Sequence, residues 1–263
     1  MRRTQIVALG IMLLTLAFVP MAVVPNATEA SEVNNPSVTF RISCDEDASV
    51  WSVFPNTNYG MAQFVPVIDY SGSERAYLKF DVSSLPSNFV IDSAVAYFYI
   101  QNIWNWNYTE SGFDSMRVNV RTPPANWSES TITWNNAPFS LAGTYWLGIM
   151  EVPRIAPGNT IGYSYPDVHG VFHPEDPANY TDIYQSFEQY WPVDITAITQ
   201  YWQYNPNYGV ILDTSQPGYN TIDSEIDIAS RHTAFHEQKT PYLEIIGHSA
   251  ETQVHISYYD QFT

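Results

Sequence analysis

The stretch that decides the fold is residues 127–138, W-S-E-S-T-I-T-W-N-N-A-P, called the hub segment below. Its alternating pattern predicts that Ile132 and Trp134 share one face of an extended segment, because strand side chains alternate with period two. Asn135 begins a turn sequence, and Pro138 cannot donate a hydrogen bond to a sheet. The segment holds no nucleophile paired with a base and no metal-ligand spacing. We therefore expect it to pack the core and to carry no catalysis.

The flanking sequence predicts more strands. Apolar residues alternate with more polar ones over residues 76–82, whereas over residues 94–100 both alternating sets are apolar or aromatic, so both faces of that strand are expected to be covered. Aromatic residues make up 15% of the chain and 18 prolines interrupt it, which favours short strands over long helices. Residues 196–204 are the only helix expected, with Thr196 as its N-cap. The predicted fold is all-β: an antiparallel, jelly-roll-like β-sandwich with one short helix and a long inserted loop.

Several short motifs resemble one family when they are taken in order. The chain resembles the DNRLRE-domain, or disaggregatase-related, group of secreted β-sandwich modules, which is classed with carbohydrate-binding modules. The resemblance implies a β-sandwich and a non-catalytic binding role. Besides the hub segment, it rests on the D-A-S-V that begins at Asp47 and on residues 55–60, 75–86, 91–94, 193–196, 207–212, 229–231 and 241–245.

The chain divides into four parts by pattern. Residues 1–30 have a basic start, an apolar run and small residues before a cleavage point, as in a secretory signal peptide. Residues 31–247 form the predicted sandwich, in which residues 139–190 are a long insertion. Residues 248–263 add an extra C-terminal strand or tail. We expect a secreted protein, extracellular or at the cell surface, without a membrane span after cleavage.

The chain is strongly acidic, with a formal net charge of −17. Nucleic acids and anionic membranes need a basic surface, so neither is expected as a partner. Cations or neutral sugars suit this charge, and acidity that serves only solubility explains it equally well. The single cysteine, Cys44, excludes an internal disulfide; it is either buried and inert or a cross-link between two chains.

An aromatic run within residues 101–115 is the predicted sugar site. Trp104, Trp106 and Tyr108 alternate with amide residues, of which Asn105 is the first, so the three rings face one way in an extended chain. Sugar rings stack on flat aromatic faces while amides bind their hydroxyls. The alternative is that these rings cover an end of the core or pack on a neighbouring subunit.

Acidic residues near both ends of the module predict a structural calcium ion, because calcium takes several carboxylate and carbonyl oxygens. A pair of solvated acidic turns remains the alternative. His169 and His173, close to Glu175 and Asp176, form a weaker metal candidate inside the long insertion. The predicted calcium ligands are Asp45, Asp47, Asp223 and Glu225.

Three Asn-x-Ser/Thr sequons allow glycosylation in a host that glycosylates, at Asn107, Asn126 and Asn179. Asn126 adjoins the hub segment, which makes its modification doubtful.

Two functions remain open from sequence. The first is a non-catalytic module that binds extracellular polysaccharide, or a cell-surface glycan in adhesion. The second is a subunit of an extracellular filament or coat that self-assembles by β-strand addition through the N-terminal arm or the C-terminal tail. An enzyme is not expected, although a polysaccharide-active enzyme stays a remote alternative.

Overall fold

A computed structural model describes residues 36–69, 73–105, 115–140, 145–153, 183–214, 224–234 and 239–250. These residues form ten strands and one short helix. In chain order they are β1 (Val38–Trp51), β2 (Phe64–Asp69), β3 (Glu74–Phe80), β4 (Phe89–Asn105), β5 (Ser115–Thr122), β6 (Tyr145–Pro153), β7 (Ile183–Asp194), α1 (Thr196–Trp202), β8 (Val210–Asp213), β9 (Ser224–Ala229) and β10 (Tyr242–Ser249).

All strand pairs are antiparallel, and six strands close into a ring in the order β1-β10-β4-β9-β2-β3. Strands β8, β5 and β6 continue outward from β3, while β7 pairs with β4. The prediction of an antiparallel all-β fold with one short helix is confirmed. The six-strand ring is a closed barrel, whereas the prediction was two separate sheets of a jelly-roll sandwich.

The ring closes because β1 is long enough to serve two neighbours. Its first half pairs with β10, from Val38 to Ser43, and its second half pairs with β3, from Cys44 to Trp51. The register shifts between Cys44 and Glu46, and such a bulge bends a strand and increases its twist. A strand bent in this way can leave one neighbour and join another.

The main core follows the alternation predicted for β3 and β4. Ala76, Leu78 and Phe80 of β3 are fully buried and pack in one cluster with the apolar face of β4. Cys44 lies in the same core, only 6% exposed, and its thiol donates to the carbonyl oxygen of Glu46. Burial raises the pKa of the Cys44 thiol. Of the two alternatives for this residue, the buried thiol is confirmed.

The hub segment forms consecutive turns, so the prediction of an extended segment was wrong. The N–H groups of Thr131 and Ile132 both donate to the carbonyl oxygen of Ser128, and the N–H of Ala137 donates to that of Thr133. Serine, threonine and asparagine favour such local bonds over a sheet.

The packing role of the hub segment is confirmed. Trp127 and Ile132 are buried in a second core cluster against Tyr77 and Ile211, which point away from the main core. The hub segment therefore covers the outer face of β3 and β8 with apolar side chains.

The predicted helix is present, but Thr196 does not cap it. The N–H and hydroxyl of Thr196 both donate to Asp194, and its hydroxyl oxygen accepts the N–H of Ala94 from β4. The cap position is Ile195, which makes no side-chain capping bond. Thr196 thus fastens α1 to the sheet.

Two described segments bear on the predicted insertion and tail. Strand β6 and most of β7 fall within residues 139–190, so this region carries sheet structure of its own. Strand β10 continues to Ser249 and lies between β1 and β4, so both of its edges are paired within the chain. Residues 1–35 and 251–263 lie outside the description. Among the residues described, no helix has the length and apolar character needed to cross a membrane.

Candidate functional site

The aromatic sugar site predicted in residues 101–115 lies mostly outside the described residues, which include neither Trp106 nor Tyr108. Trp104 lies near the end of β4, half-buried, and its indole N–H donates to Asp227 at 3.2 Å. Asn105 is the last residue of the strand. This site remains a prediction, with Trp104 held against β9.

The predicted calcium ligands that are described do not converge. Asp45 and Asp47 lie on β1, Glu225 lies on β9, and Asp223 is outside the described residues. Asp47 contacts Ser230, which is five residues along the chain from Glu225, or about 16 Å of extended chain. The two halves of the predicted set are therefore at opposite ends of β9. Calcium binding itself remains a prediction.

Of the three sequons, only Asn126 is described, and its side chain is exposed beside the buried Trp127. Asn107 and Asn179 lie outside the described residues, as do His169, His173, Glu175 and Asp176.

Asp47 instead belongs to an ionic cluster that sequence reasoning missed. The Asp47–Glu129 cluster consists of Asp47, Glu129, Arg231 and His232, and it joins β1, the hub segment and the turn after β9. One oxygen of Glu129 lies 3.0 Å from the N–H nitrogen of Asp47, 2.9 Å from Nε of Arg231 and 3.0 Å from Nε2 of His232. Glu129 is thus the centre of the cluster.

The carboxylate of Asp47 is also bonded within the cluster. It accepts the hydroxyl of Ser230 at 2.8 Å and the backbone N–H of Arg231 at 2.6 Å. Burial raises the pKa of Asp47 to about 6, although both hydrogen bonds favour its charged form. Asp47 is 1% exposed, so it acts as an internal anchor for the turn that follows β9.

The cluster has the ligand types of a metal site, but an arginine lies in the middle of it. Candidate ligand atoms of Asp47, Glu129 and His232 lie within 4.8 Å of one another. The guanidinium of Arg231 donates to Glu129 and to the carbonyl oxygen of Asp45. Since this cation already neutralises Glu129, the arrangement is that of an internal ion-pair network.

A second set of bonds ties the hub segment to the barrel wall. Lys79 donates to Glu46 at 2.8 Å and to the carbonyl oxygen of Trp127 at 2.5 Å. The other oxygen of Glu46 accepts the N–H of Glu129 at 2.7 Å. The indole N–H of Trp127 donates to the carbonyl oxygen of Tyr208 at 2.9 Å. The hub segment is therefore bonded to β1, β3 and the segment before β8.

A row of carboxyl groups crosses the barrel next to Trp104. Glu74 of β3 and Glu225 of β9 both pair with Ile68 of β2, so the three residues share one face. Burial raises the pKa of Glu74 to about 7. The pKa of Glu225 rises far above its usual range, first because it is buried and then because it lies beside the carboxylate of Asp227.

Comparison with protein-family models gives one match, over part of the chain. Residues 38–151 match carbohydrate-binding module family 96. The matched region runs from β1 into β6 and includes the hub segment, Asp47 and Glu129. The match supports a carbohydrate-binding-module-like family, that is, a family of non-catalytic binding modules. A search of curated proteins found no match to the chain.

Proposed function

We propose that the protein is a secreted, non-catalytic module that binds extracellular polysaccharide, at a cell surface or between cells. The observation that carries the proposal is the match of residues 38–151 to a carbohydrate-binding module family. The finer resemblance to the DNRLRE-domain group, seen in the motifs from Asp47 to residues 241–245, points the same way. Extracellular location rests on the signal-like residues 1–30.

The buried carboxyl pair beside Trp104, Glu225 and Asp227, is bonded within the protein, which favours a structural role over hydrolysis. Glycoside hydrolases hold their two carboxyl groups about 5–9.5 Å apart, because the sugar bond or a water molecule must fit between them. Glu225 and Asp227 share a hydrogen bond instead. Asp227 also accepts the amide of Asn102 at 3.0 Å and the indole N–H of Trp104. This pair is arranged to hold β9 against β4.

The second function expected from sequence, self-assembly by strand addition, gains no support from the described part of the C-terminal region. Strand β10, to which the predicted tail would be attached, has β1 and β4 as neighbours. The carbohydrate function is therefore the one that we carry forward, with calcium as a proposed structural ion to be tested beside it.

The test is the retention of chain 31–263 by a panel of immobilised neutral and anionic polysaccharides, with and without excess calcium. We expect retention on at least one polysaccharide, with a Kd in the micromolar range by calorimetry, and no release of reducing ends. The heat-unfolded chain is the control for nonspecific adhesion. Failure to bind any polysaccharide, or steady cleavage of one, would contradict the proposal.

A further inference from the structure

An open cavity lined by described residues lies between β6 and α1, and we call it the β6–α1 groove. Its volume is about 690 Å³, within the range of about 300–1,000 Å³ that is typical of ligand sites. Strand β6, the end of β5 and the segment from α1 to β8 all contribute to it. Its walls include Thr122, Pro124, Trp146, Ile198, Tyr201 and Tyr208.

Two large aromatic side chains in this groove face solvent. Trp146 is 55% exposed and Tyr201 is 53% exposed, whereas Trp202, on the same helix, is 6% exposed. The core does not need the first two rings, since it is filled by other side chains. Exposed aromatic surface grouped in a cavity is typical of a binding site and not of a random surface.

Both rings are carried by elements with fixed positions. Trp146 lies on β6 and pairs with Arg121 of β5, just after a register shift between Val120 and Arg121. Helix α1 is held to β4 because the amides of Gln200 and Gln203 donate to backbone carbonyls of that strand, each at 2.8 Å. Aromatic side chains on rigid elements lose little conformational entropy when a ligand binds, and this favours affinity.

The groove is uncharged in a strongly acidic chain. None of its described lining residues is Asp, Glu, Lys, Arg or His. Two basic residues nearby are already neutralised, because Arg121 pairs with Asp213 at 2.9 Å and Lys79 pairs with Glu46 at 2.8 Å. A ligand in the groove therefore meets aromatic faces, prolines and a few hydroxyl groups, and recognition does not depend on ion pairs.

We propose that the β6–α1 groove is the polysaccharide site, with Trp146 and Tyr201 stacking on the C–H faces of sugar rings. This inference rests on the proposed function, because the family match is what selects a sugar chain over other apolar ligands. Sugar rings offer flat C–H faces and hydroxyls, which match aromatic rings and uncharged polar groups. The affinity should consequently change little with salt concentration.

The experiment compares variants of chain 31–263 on whichever polysaccharide the wild-type chain retains, using calorimetry. Trp146→Ala and Tyr201→Ala should each weaken binding by about tenfold or more, and the double variant should abolish it. Tyr204→Ala is the matched control: this tyrosine is 80% exposed, follows α1 and does not line the groove. It should bind like the wild type. Thermal unfolding confirms that each variant is folded.

A second arm separates the groove from the loop of residues 101–115. Folded groove variants that bind like the wild type, together with loss of binding in Trp104→Ala/Trp106→Ala, would overturn the groove and leave the proposed function intact. A steep fall in affinity with salt, or a groove that takes proline-rich peptides and no glycan, would also overturn it. A wild-type chain that retains no polysaccharide would instead refute the proposed function itself.

Discussion

Two tryptophans separate the parts of this molecule that maintain the fold from the part that is available for a ligand. Trp127 is 6% exposed; its indole N–H is bonded, its ring meets Tyr77 edge-on at 5.5 Å, and Lys79 lies over it at 4.5 Å. Trp146 is 55% exposed at the edge of a groove. Tyr208 contributes to both places, through its carbonyl oxygen to Trp127 and through the groove wall. Residue type therefore does not assign a role here, whereas burial and satisfied hydrogen bonds do.

The two regions also differ in charge: ion pairs surround Trp127, and the described lining of the groove has none. The region around Trp127 contains Glu46 with Lys79 and Glu129 with Arg231, each paired within the chain. The described lining of the groove contains no charged side chain. Buried charges need partners that fix their geometry, which suits a region that must keep one conformation. An uncharged groove leaves its surface free for a neutral contact.

The largest effect expected from this contrast is on stability. Trp127→Ala should lower the free energy of unfolding by about 3–5 kcal/mol, because it leaves a cavity between β3 and the hub segment. Trp146→Ala should cost about 1 kcal/mol or less, since more than half of that side chain is in solvent. Chemical denaturation of the two variants measures both values. Equal losses would remove the distinction between the two regions.

The next effect tests whether the Asp47–Glu129 cluster stabilises the fold. Glu129→Ala removes the acceptor shared by Asp47, Arg231 and His232, so it should cost about 2–4 kcal/mol. Glu151→Ala is the control, because Glu151 forms an exposed ion pair with Arg117 that is expected to contribute about 0.5 kcal/mol. Urea denaturation compares the two. If zinc instead stabilised the wild-type chain and not Glu129→Ala, that result would favour a metal site at the cluster.

Much of the fold was predictable because its strands obey local rules. The alternation in β3 and β4 identified their buried faces, and the hub segment was correctly expected to be a packing centre. Strand β2 was missed because Pro66 lies inside it, and proline normally argues against a strand. Strand β6, with Trp146, was missed because its residues are apolar without alternation. The hub segment was wrongly read as extended because its period-two pattern also fits successive turns.

The site was harder to predict because its residues come from distant parts of the chain. Glu129 and Arg231 are 102 residues apart, and periodicity says nothing about which carboxylate meets which arginine. Trp146 and Tyr201 face the same groove only because β6 and α1 border the same end of the sheet. Burial of Trp127 could be read from the dense motif around it, but nothing local to Trp146 distinguished it. The roles of Trp127 and Trp146, two residues of the same type, are therefore set by their tertiary contacts.

The smallest effect concerns pH, and it contrasts the buried carboxyl groups with the groove. In Glu74, Glu225 and Asp47 the native pKa is raised, so the native state binds more protons than the unfolded chain. Their stabilising effect is complete below about pH 4 and is lost as the pH rises through the native pKa values of about 6 and 7 and then through that of Glu225. Stability should therefore fall between about pH 5 and pH 9.

Glu225→Gln should reduce that slope and stabilise the chain by about 1 kcal/mol near pH 9, because the amide has no proton to lose beside Asp227. Glu46 and Asp194, whose pKa values are lowered, lose their contribution only below about pH 5, outside this window. Urea midpoints at a series of pH values measure the slope, and glycan affinity measured alongside should stay level where the chain is folded. If the fall in stability with pH vanished in excess calcium, that would show the ion binding at Glu225. If the fall were unchanged in Glu225→Gln, this carboxyl group would not be its cause.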